Sequence, residues 1–191
     1  MRIVYLFIAV LIISCTYNRE PDVERIFGVS VSATDSSLQF LNGVLFRSGQ
    51  LFSGSVLQRN EEGKVNAQTS YYNGRQEGWS YTYFENGAMS EKRYYHLGEK
   101  DSVHKGWWQN GKPRFAYQFK AGKYDGYFRE WYASSPKYKE VHYTNGKEDW
   151  AKGWRENGKV YMNFVVKDGR RYGIENSNLC YLINKDSLLR E

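Results

Sequence analysis

Glycines return at a nearly fixed interval along most of this chain, and that interval limits what the chain can fold into. Gly49, Gly74, Gly98, Gly122, Gly146 and Gly169 are separated by 25, 24, 24, 24 and 23 residues. Three residues before five of these anchors stand Tyr71, Tyr95, Phe119, Tyr143 and Val166. A period in this range marks a repeat architecture, in which each unit buries its apolar surface only by stacking on its neighbours.

Each copy divides into two short arms around a turn. The turns are Glu85-Asn86-Gly87, Gln109-Asn110-Gly111 and Glu156-Asn157-Gly158, with Glu61-Glu62-Gly63 a weaker version. Asn-Gly tolerates the positive φ angles of a type I′ turn, so these are expected to be tight hairpin turns. The anchors Asn73-Gly74, Asn145-Gly146 and Asp168-Gly169 are turn dipeptides as well. In the arms Trp79, Tyr81 and Tyr83 alternate with Ser80 and Thr82, and Phe115, Tyr117 and Phe119 alternate with Arg114, Ala116 and Gln118. Val160, Met162, Phe164 and Val166 follow the same rule. Period two in aromatic and β-branched residues means strands. The expected fold is all-β: an elongated, single-layer antiparallel meander of repeated β-hairpins over residues 38–173.

Tyr83, Trp107 and Trp131 stand nine residues after their anchors, and Trp154 stands eight after its own. Like rings on neighbouring rungs are expected to stack. A further glycine of the unit recurs at Gly78, Gly126 and Gly173, but Ser102 and Trp150 replace it, so copies two and four are expected to differ at that corner.

The ends of the chain differ from its middle. Residues 1–14 combine basic Arg2 with the apolar run from Ile3 to Ile13, too short for a bilayer span and suited to a signal-peptide core. Ile12-Ile13-Ser14-Cys15 then resembles the lipobox of bacterial lipoproteins, in which the cysteine carries lipid and becomes the first residue after cleavage. The competing reading is a plain secretory signal with an incidental cysteine. Several acyl chains on Cys15 would suffice for stable anchoring. Residues 15–37 read as the lipidated N-terminus and a tether, with room for a short strand between Ile26 and Val31; residues 174–191 read as a cap and tail, with a closing strand from Leu179 to Ile183. With Cys15 lipidated, Cys180 has no partner for an intramolecular disulfide, and it reads more simply as a small buried residue than as a reactive thiol.

The repeated unit, Asn-Gly-(x)3-Gly-aromatic followed by Tyr-aromatic-Glu-Asn-Gly, resembles the variant MORN repeat, and in particular the bacterial YwqK-family antitoxins. Its best matches are Asn73-Gly74 to Gly78-Trp79 with Tyr83-Phe84-Glu85-Asn86-Gly87, and Ala121-Gly122 to Gly126-Tyr127 with Trp131-Tyr132. The pattern is broken at Ser102, at Trp150 and at Ser134-Ser135-Pro136. The resemblance implies an elongated β-meander, no catalytic residues and a role in holding proteins or lipids.

The residues themselves offer little chemistry. His96, His104 and His142 lack HxxxH or HExxH spacing and no CxxC is present, so neither metal nor cofactor is expected. Glu77, Glu85, Glu130 and Glu156 recur in phase with the repeat and read as solvated turn residues rather than a glycosidase pair. The net charge of +6 becomes +5 once Arg2 leaves with the signal. Its lysines and arginines cluster near turns, either as a solvated rim or as a surface for anionic lipid head groups. Nucleic acid is not an expected partner of an exported chain.

The expected function is that of a non-enzymatic, monomeric, lipid-anchored scaffold at the bacterial cell envelope, antitoxin-like in family and binding a protein or an envelope polymer. The alternative is a membrane-surface module, with a hydrolytic enzyme more remote. The candidate binding rings are Trp79, Tyr83, Trp107, Trp108, Trp131, Tyr132 and Trp154, since Trp and Tyr dominate binding hot spots. For many of them the competing role is to stack on one another.

Overall fold

The computed structural model describes residues 28–176. The signal-like segment, Cys15, the first part of the tether, Cys180 and the stretch from Leu179 to Ile183 lie outside the described residues. The strands, in order, are β1 (Ser30–Ser32), β2 (Leu38–Leu41), β3 (Val44–Arg47), β4 (Gln50–Leu51), β5 (Gly54–Arg59), β6 (Val65–Tyr72), β7 (Arg75–Tyr83) and β8 (Met89–His96). They continue as β9 (Glu99–Trp107), β10 (Pro113–Lys120), β11 (Lys123–Trp131), β12 (Lys137–Thr144), β13 (Lys147–Trp154), β14 (Val160–Lys167) and β15 (Arg170–Ile174). The described residues are all-β. From β5 to β15 each strand pairs antiparallel with the next, giving the elongated meander that the period implies.

The two long edges of this sheet are built from different turns. At the anchor edge the pairs Asn73-Gly74, Leu97-Gly98, Ala121-Gly122, Asn145-Gly146 and Asp168-Gly169 all have positive φ at both residues, the type I′ geometry. At the other edge only Gly63, Gly87, Gly111, Ser135 and Gly158 are left-handed. There the amide of Gly87 donates to the Phe84 carbonyl at 2.9 Å and the amide of Phe84 to the Ala88 carbonyl at 2.8 Å. That is a type I turn closed by a left-handed residue. The expectation of type I′ turns at Asn86-Gly87 and its equivalents is therefore corrected. The asparagine is there for its side chain: Oδ1 of Asn86, Asn110 and Asn157 accepts from the amides of Ala88, Lys112 and Lys159 at 3.0–3.1 Å. Ser135 replaces glycine at φ 104° and its turn keeps the same pair of backbone bonds.

Bulges near the anchor edge set the register. Between paired positions β10 advances from Tyr117 to Phe119 while β11 retreats from Phe128 to Tyr124, two residues against four. In the β12–β13 hairpin the same step is His142 to Tyr143 against Trp150 to Glu148, one against two. The missing residue of the fourth copy is thus removed inside the bulge, which explains why Trp154 falls one place early. Ser102 takes φ 56° where its counterparts Gly78 and Gly126 have 80° and 98°, so copy two keeps the corner, and the local difference expected at Ser102 is not found. Trp150 is not left-handed, and copy four does differ.

The first end departs from a single layer. β2, β3 and β4 form a separate three-stranded sheet, and β1 joins the long sheet parallel to β5. The segment read as tether therefore contributes a strand. The small sheet docks on the first tight turn: the Leu45 amide donates to the Gly74 carbonyl and the Gly74 amide to the Phe52 carbonyl, both at 2.7 Å. Val31, Leu45 and Phe52 are buried there, with Leu38, Val56 and Tyr71 against them. A second apolar cluster, Val141, Ala151 and Phe164, lies at the far end with Phe128, Tyr143 and Met162 packed on it.

Candidate functional site

Strand alternation puts Phe115, Tyr117 and Phe119 of β10 on one face, here called the ring face. Tyr124 and Phe128 of β11 meet them there. The Tyr117 ring stacks on Phe128 at 3.7 Å and on Phe115 at 4.4 Å between centroids. A second run passes from Tyr95 to His104, Phe119, Tyr124 and Tyr143 with centroid separations of 5.5, 4.5, 4.7 and 5.1 Å. Cross-strand ring pairs contribute roughly 0.2–1 kcal/mol each, so this floor links β8 through β12. Gly106 makes room for it, since a Cβ there would lie 2.2 Å from the Phe115 ring.

Above the floor lies a groove of about 490 Å³, within the size range of ligand sites. Its charged lining comes from Glu91, Arg93, Lys100, Arg114 and Glu130, and the rings of Trp108, Trp131 and Tyr138 complete it. Glu91 is ion-paired to both Arg93 and Arg114. A register shift between Pro113 and Phe115 accompanies the reach of Arg114 toward this face, where its guanidinium lies 5.1 Å from the Phe115 ring centre. The Lys100 ammonium sits 5.2 Å from the Phe119 ring centre, and among the described residues no carboxylate is within ion-pair distance of it.

The groove also gathers two carboxylates and a histidine, the types an acid–base catalyst would use. Each already has a partner. Glu91 faces two guanidinium groups. Glu130 accepts from the Tyr117 hydroxyl at 2.6 Å. Burial, and then this bond to a carboxylate, push the Tyr117 phenol far above its ordinary range. The Nε2 of His104 donates to the Tyr94 carbonyl at 2.7 Å. Burial depresses the His104 pKa, and the Arg93 and Lys100 charges depress it further while the Tyr94 bond opposes them, which leaves a neutral ring near pH 7. Among the described residues no group of three His, Cys, Asp or Glu side chains gathers as a metal site. What the arrangement offers is an aromatic platform edged by fixed donors and acceptors.

The seven rings singled out from the sequence do not form one site. Trp108 and Trp131 line the groove, and the Trp108 Nε1 donates to the Trp131 carbonyl at 3.0 Å. Trp79 lies on the opposite face, packed on Tyr94 at 5.1 Å with the Lys92 ammonium 3.9 Å from its ring centre. The Tyr132 hydroxyl donates to the Trp154 carbonyl at 3.1 Å, and its ring packs on Tyr138. Trp154 has the Lys137 and Lys152 ammonium groups 5.4 and 5.6 Å from its ring centre. Tyr83 and Trp107 are half-buried at strand ends opposite Met89 and Pro113. The expected stack is not formed among Tyr83, Trp107, Trp131 and Trp154: equivalent residues of successive units are two strands apart, about 10 Å, a gap that Tyr138 and Tyr161 close to 6.1 Å where Gly153 leaves room on the strand between them. Rings pack instead between adjacent strands, where those three and five residues before an anchor meet His104, Tyr124 and Phe128. Tyr117, Tyr124, Phe128, Tyr138 and the charged lining were not among the candidates; the alternation of Phe115, Tyr117 and Phe119 was the available signal.

Other expectations are redistributed. His96 is exposed and bonded to Glu77 at 3.0 Å, whereas His104 is buried on the ring face. Glu130 is a groove residue of β11, not a turn residue. The basic rim is lopsided. The last three tight turns carry exposed Lys120, Lys123, Lys147, Lys167 and Arg170 with Asp168, while the opposite edge intersperses its cations with Glu61, Glu62, Glu85 and Glu156. No family model matches the chain, and no curated protein matches it. The MORN resemblance therefore rests on the residues of this chain alone.

Proposed function

We propose that the chain is a non-enzymatic binding scaffold, held at a bacterial envelope membrane by lipid on Cys15, that captures a protein or an envelope polymer on its ring face. The observation that carries this reading is the groove itself: an aromatic floor spanning five strands, left open between the docked first end and the Val141 cluster. Phe115, Phe119 and His104 are themselves buried in this floor, so the accessible rings are those at its margin, Tyr138 above all, and aromatic side chains edged by polar groups are the ordinary anatomy of an interaction site. Catalysis is less well supported, because Glu91, Glu130 and His104 are each engaged by structural partners.

The test is photo-crosslinking in envelope extracts from probes placed at Tyr138 on the ring face and at Tyr81 on the opposite face. A discrete adduct from Tyr138 and none from Tyr81 is the expected result. Equal labelling from both faces would remove the ring face as the binding surface.

The second reading, a module for anionic lipid head groups, is favoured by the one-sided cations at the last three tight turns. Each Lys or Arg close to an anionic leaflet contributes roughly 1 kcal/mol. The Cys15→Ala chain should then bind phosphatidylglycerol vesicles at low salt. Replacing Lys120, Lys123 and Lys147 with glutamate should release it.

A further inference from the structure

We infer that the groove over Phe115, Tyr117 and Phe119 is a binding site for an acidic oligosaccharide, a glycan chain whose sugar rings carry carboxylates. This deepens the scaffold reading and rests on it. Three observations narrow the ligand.

The floor is a sheet face, and its backbone N–H and C=O groups are already paired within the sheet. A peptide laid across such a face would give up water around its amides and find no backbone partners in return. A pyranose ring makes no such demand. Its C–H face is apolar and suits the rings of Trp131 and Tyr138 that line the groove, since both faces of Tyr117 are already taken by Phe115 and Phe128, while its hydroxyls radiate sideways.

The polar lining supplies both kinds of hydrogen-bonding partner. Glu130 retains acceptor capacity beyond the single Tyr117 hydroxyl it receives, and the guanidinium groups of Arg93 and Arg114 have more N–H donors than Glu91 can occupy. Hydroxyls that both donate and accept match a mixed lining of this kind. An acyl chain or a purely apolar peptide side chain would leave these groups desolvated and unmet.

The charge is uneven. Three cations face two carboxylates, and both carboxylates are engaged. Lys100 is exposed at the groove margin without an ion-pair partner among the described residues, beside neutral His104. It is the natural counter-ion for a sugar carboxylate, and Arg93 is the other cation close to His104.

The experiment is a titration of the full chain in detergent, followed by calorimetry and by tryptophan fluorescence, to which Trp108 and Trp131 of the groove contribute. The probes are oligogalacturonate, the neutral cello-oligosaccharide of equal length, polyglutamate and phosphatidylglycerol vesicles. Oligogalacturonate is expected to bind and the other three to bind at least on the order of ten-fold more weakly. Lys100→Ala should weaken oligogalacturonate on the order of ten-fold and leave any residual cello-oligosaccharide binding unchanged. Tyr138→Ala should weaken both. Both side chains are exposed, and unchanged melting temperatures would show that the variants fold. Equal affinity for the neutral and acidic sugars, preference for polyglutamate or vesicles, or indifference to both variants would each overturn the inference. So would silence from all four probes. A chain that ignores the sugars but still yields a discrete Tyr138 crosslink to a protein keeps the scaffold reading and loses this one.

Discussion

The amide of Gly122 donates to the carbonyl of Lys100 at 2.9 Å, and these two residues are 22 apart in the chain. Gly74 to Phe52, Gly98 to Gln76 and Gly146 to Tyr124 repeat the bond at the same separation, at 2.7–2.8 Å. The anchor glycine thus does two things: it adopts the left-handed second position of a tight turn, and it ties its turn to the preceding unit. At Gly122 (φ 76°) a Cβ meets only the Glu99 side chain at ordinary contact distance. Gly122→Ala should therefore lose about 1–2 kcal/mol from backbone strain alone. At Gly74 a Cβ would lie 2.5 Å from Val44 Cγ1 and 2.8 Å from the Leu45 carbonyl. Gly74→Ala should cost clearly more and loosen the small sheet. Urea unfolding of the two variants makes the comparison, and equal losses would contradict it.

Stability should respond to pH in two separate windows. Burial depresses the His104 pKa below its unfolded value. A histidine shifted this way contributes stability that is complete above about pH 6.5 and is lost as pH falls through the lower folded value. Burial works to raise Glu140, but the hydrogen bond and charge of Lys137, followed by those of Arg129, outweigh it and hold the carboxyl below its ordinary value. Its contribution is complete above about pH 4.3 and is lost below that. Melting temperature against pH should therefore fall in two steps on acidification. His104→Gln should flatten the upper step and leave the lower one.

Trp108 and Trp131 are tied by more than apolar contact. Replacing Trp108 with phenylalanine keeps a ring but leaves the half-buried Trp131 carbonyl without the indole donor, so a loss of about 1 kcal/mol is expected. Trp107→Phe, at a strand end, should lose less. Denaturant midpoints measured side by side decide the order.

The architecture was legible because its determinants are local. Glycines 24 residues apart and alternating rings encode turns and strands directly. Their consequences across the sheet were less so. An Asn-Gly pair serves two different turn types here, and only the number of residues between the backbone bonds separates Asn73-Gly74 from Asn86-Gly87. The parallel pairing of Ser30–Ser32 with β5 is a non-local event that no alternation announces. Of the seven candidate rings only Trp108 and Trp131 line the groove, because the most conspicuous rings lie at strand ends, whereas bulges carry Arg114 and Tyr138 next to Phe115 and Tyr117. Lys100, Glu91 and Arg93 read as unremarkable surface charges until the β8–β9 hairpin sets them beside the rings of β10 and β11.

Edge-to-edge stacking of successive units is the claim on which both the groove and its proposed ligand depend, and a pulsed electron-spin distance measures it directly. Nitroxides at Glu85→Cys and Glu156→Cys, in a background with Cys15 and Cys180 replaced by alanine, sit on equivalent turns three units apart. Six strand spacings place them about 30 Å apart, in one narrow distribution. A broad distribution, or a mean well under about 20 Å, would show that the units do not continue one sheet.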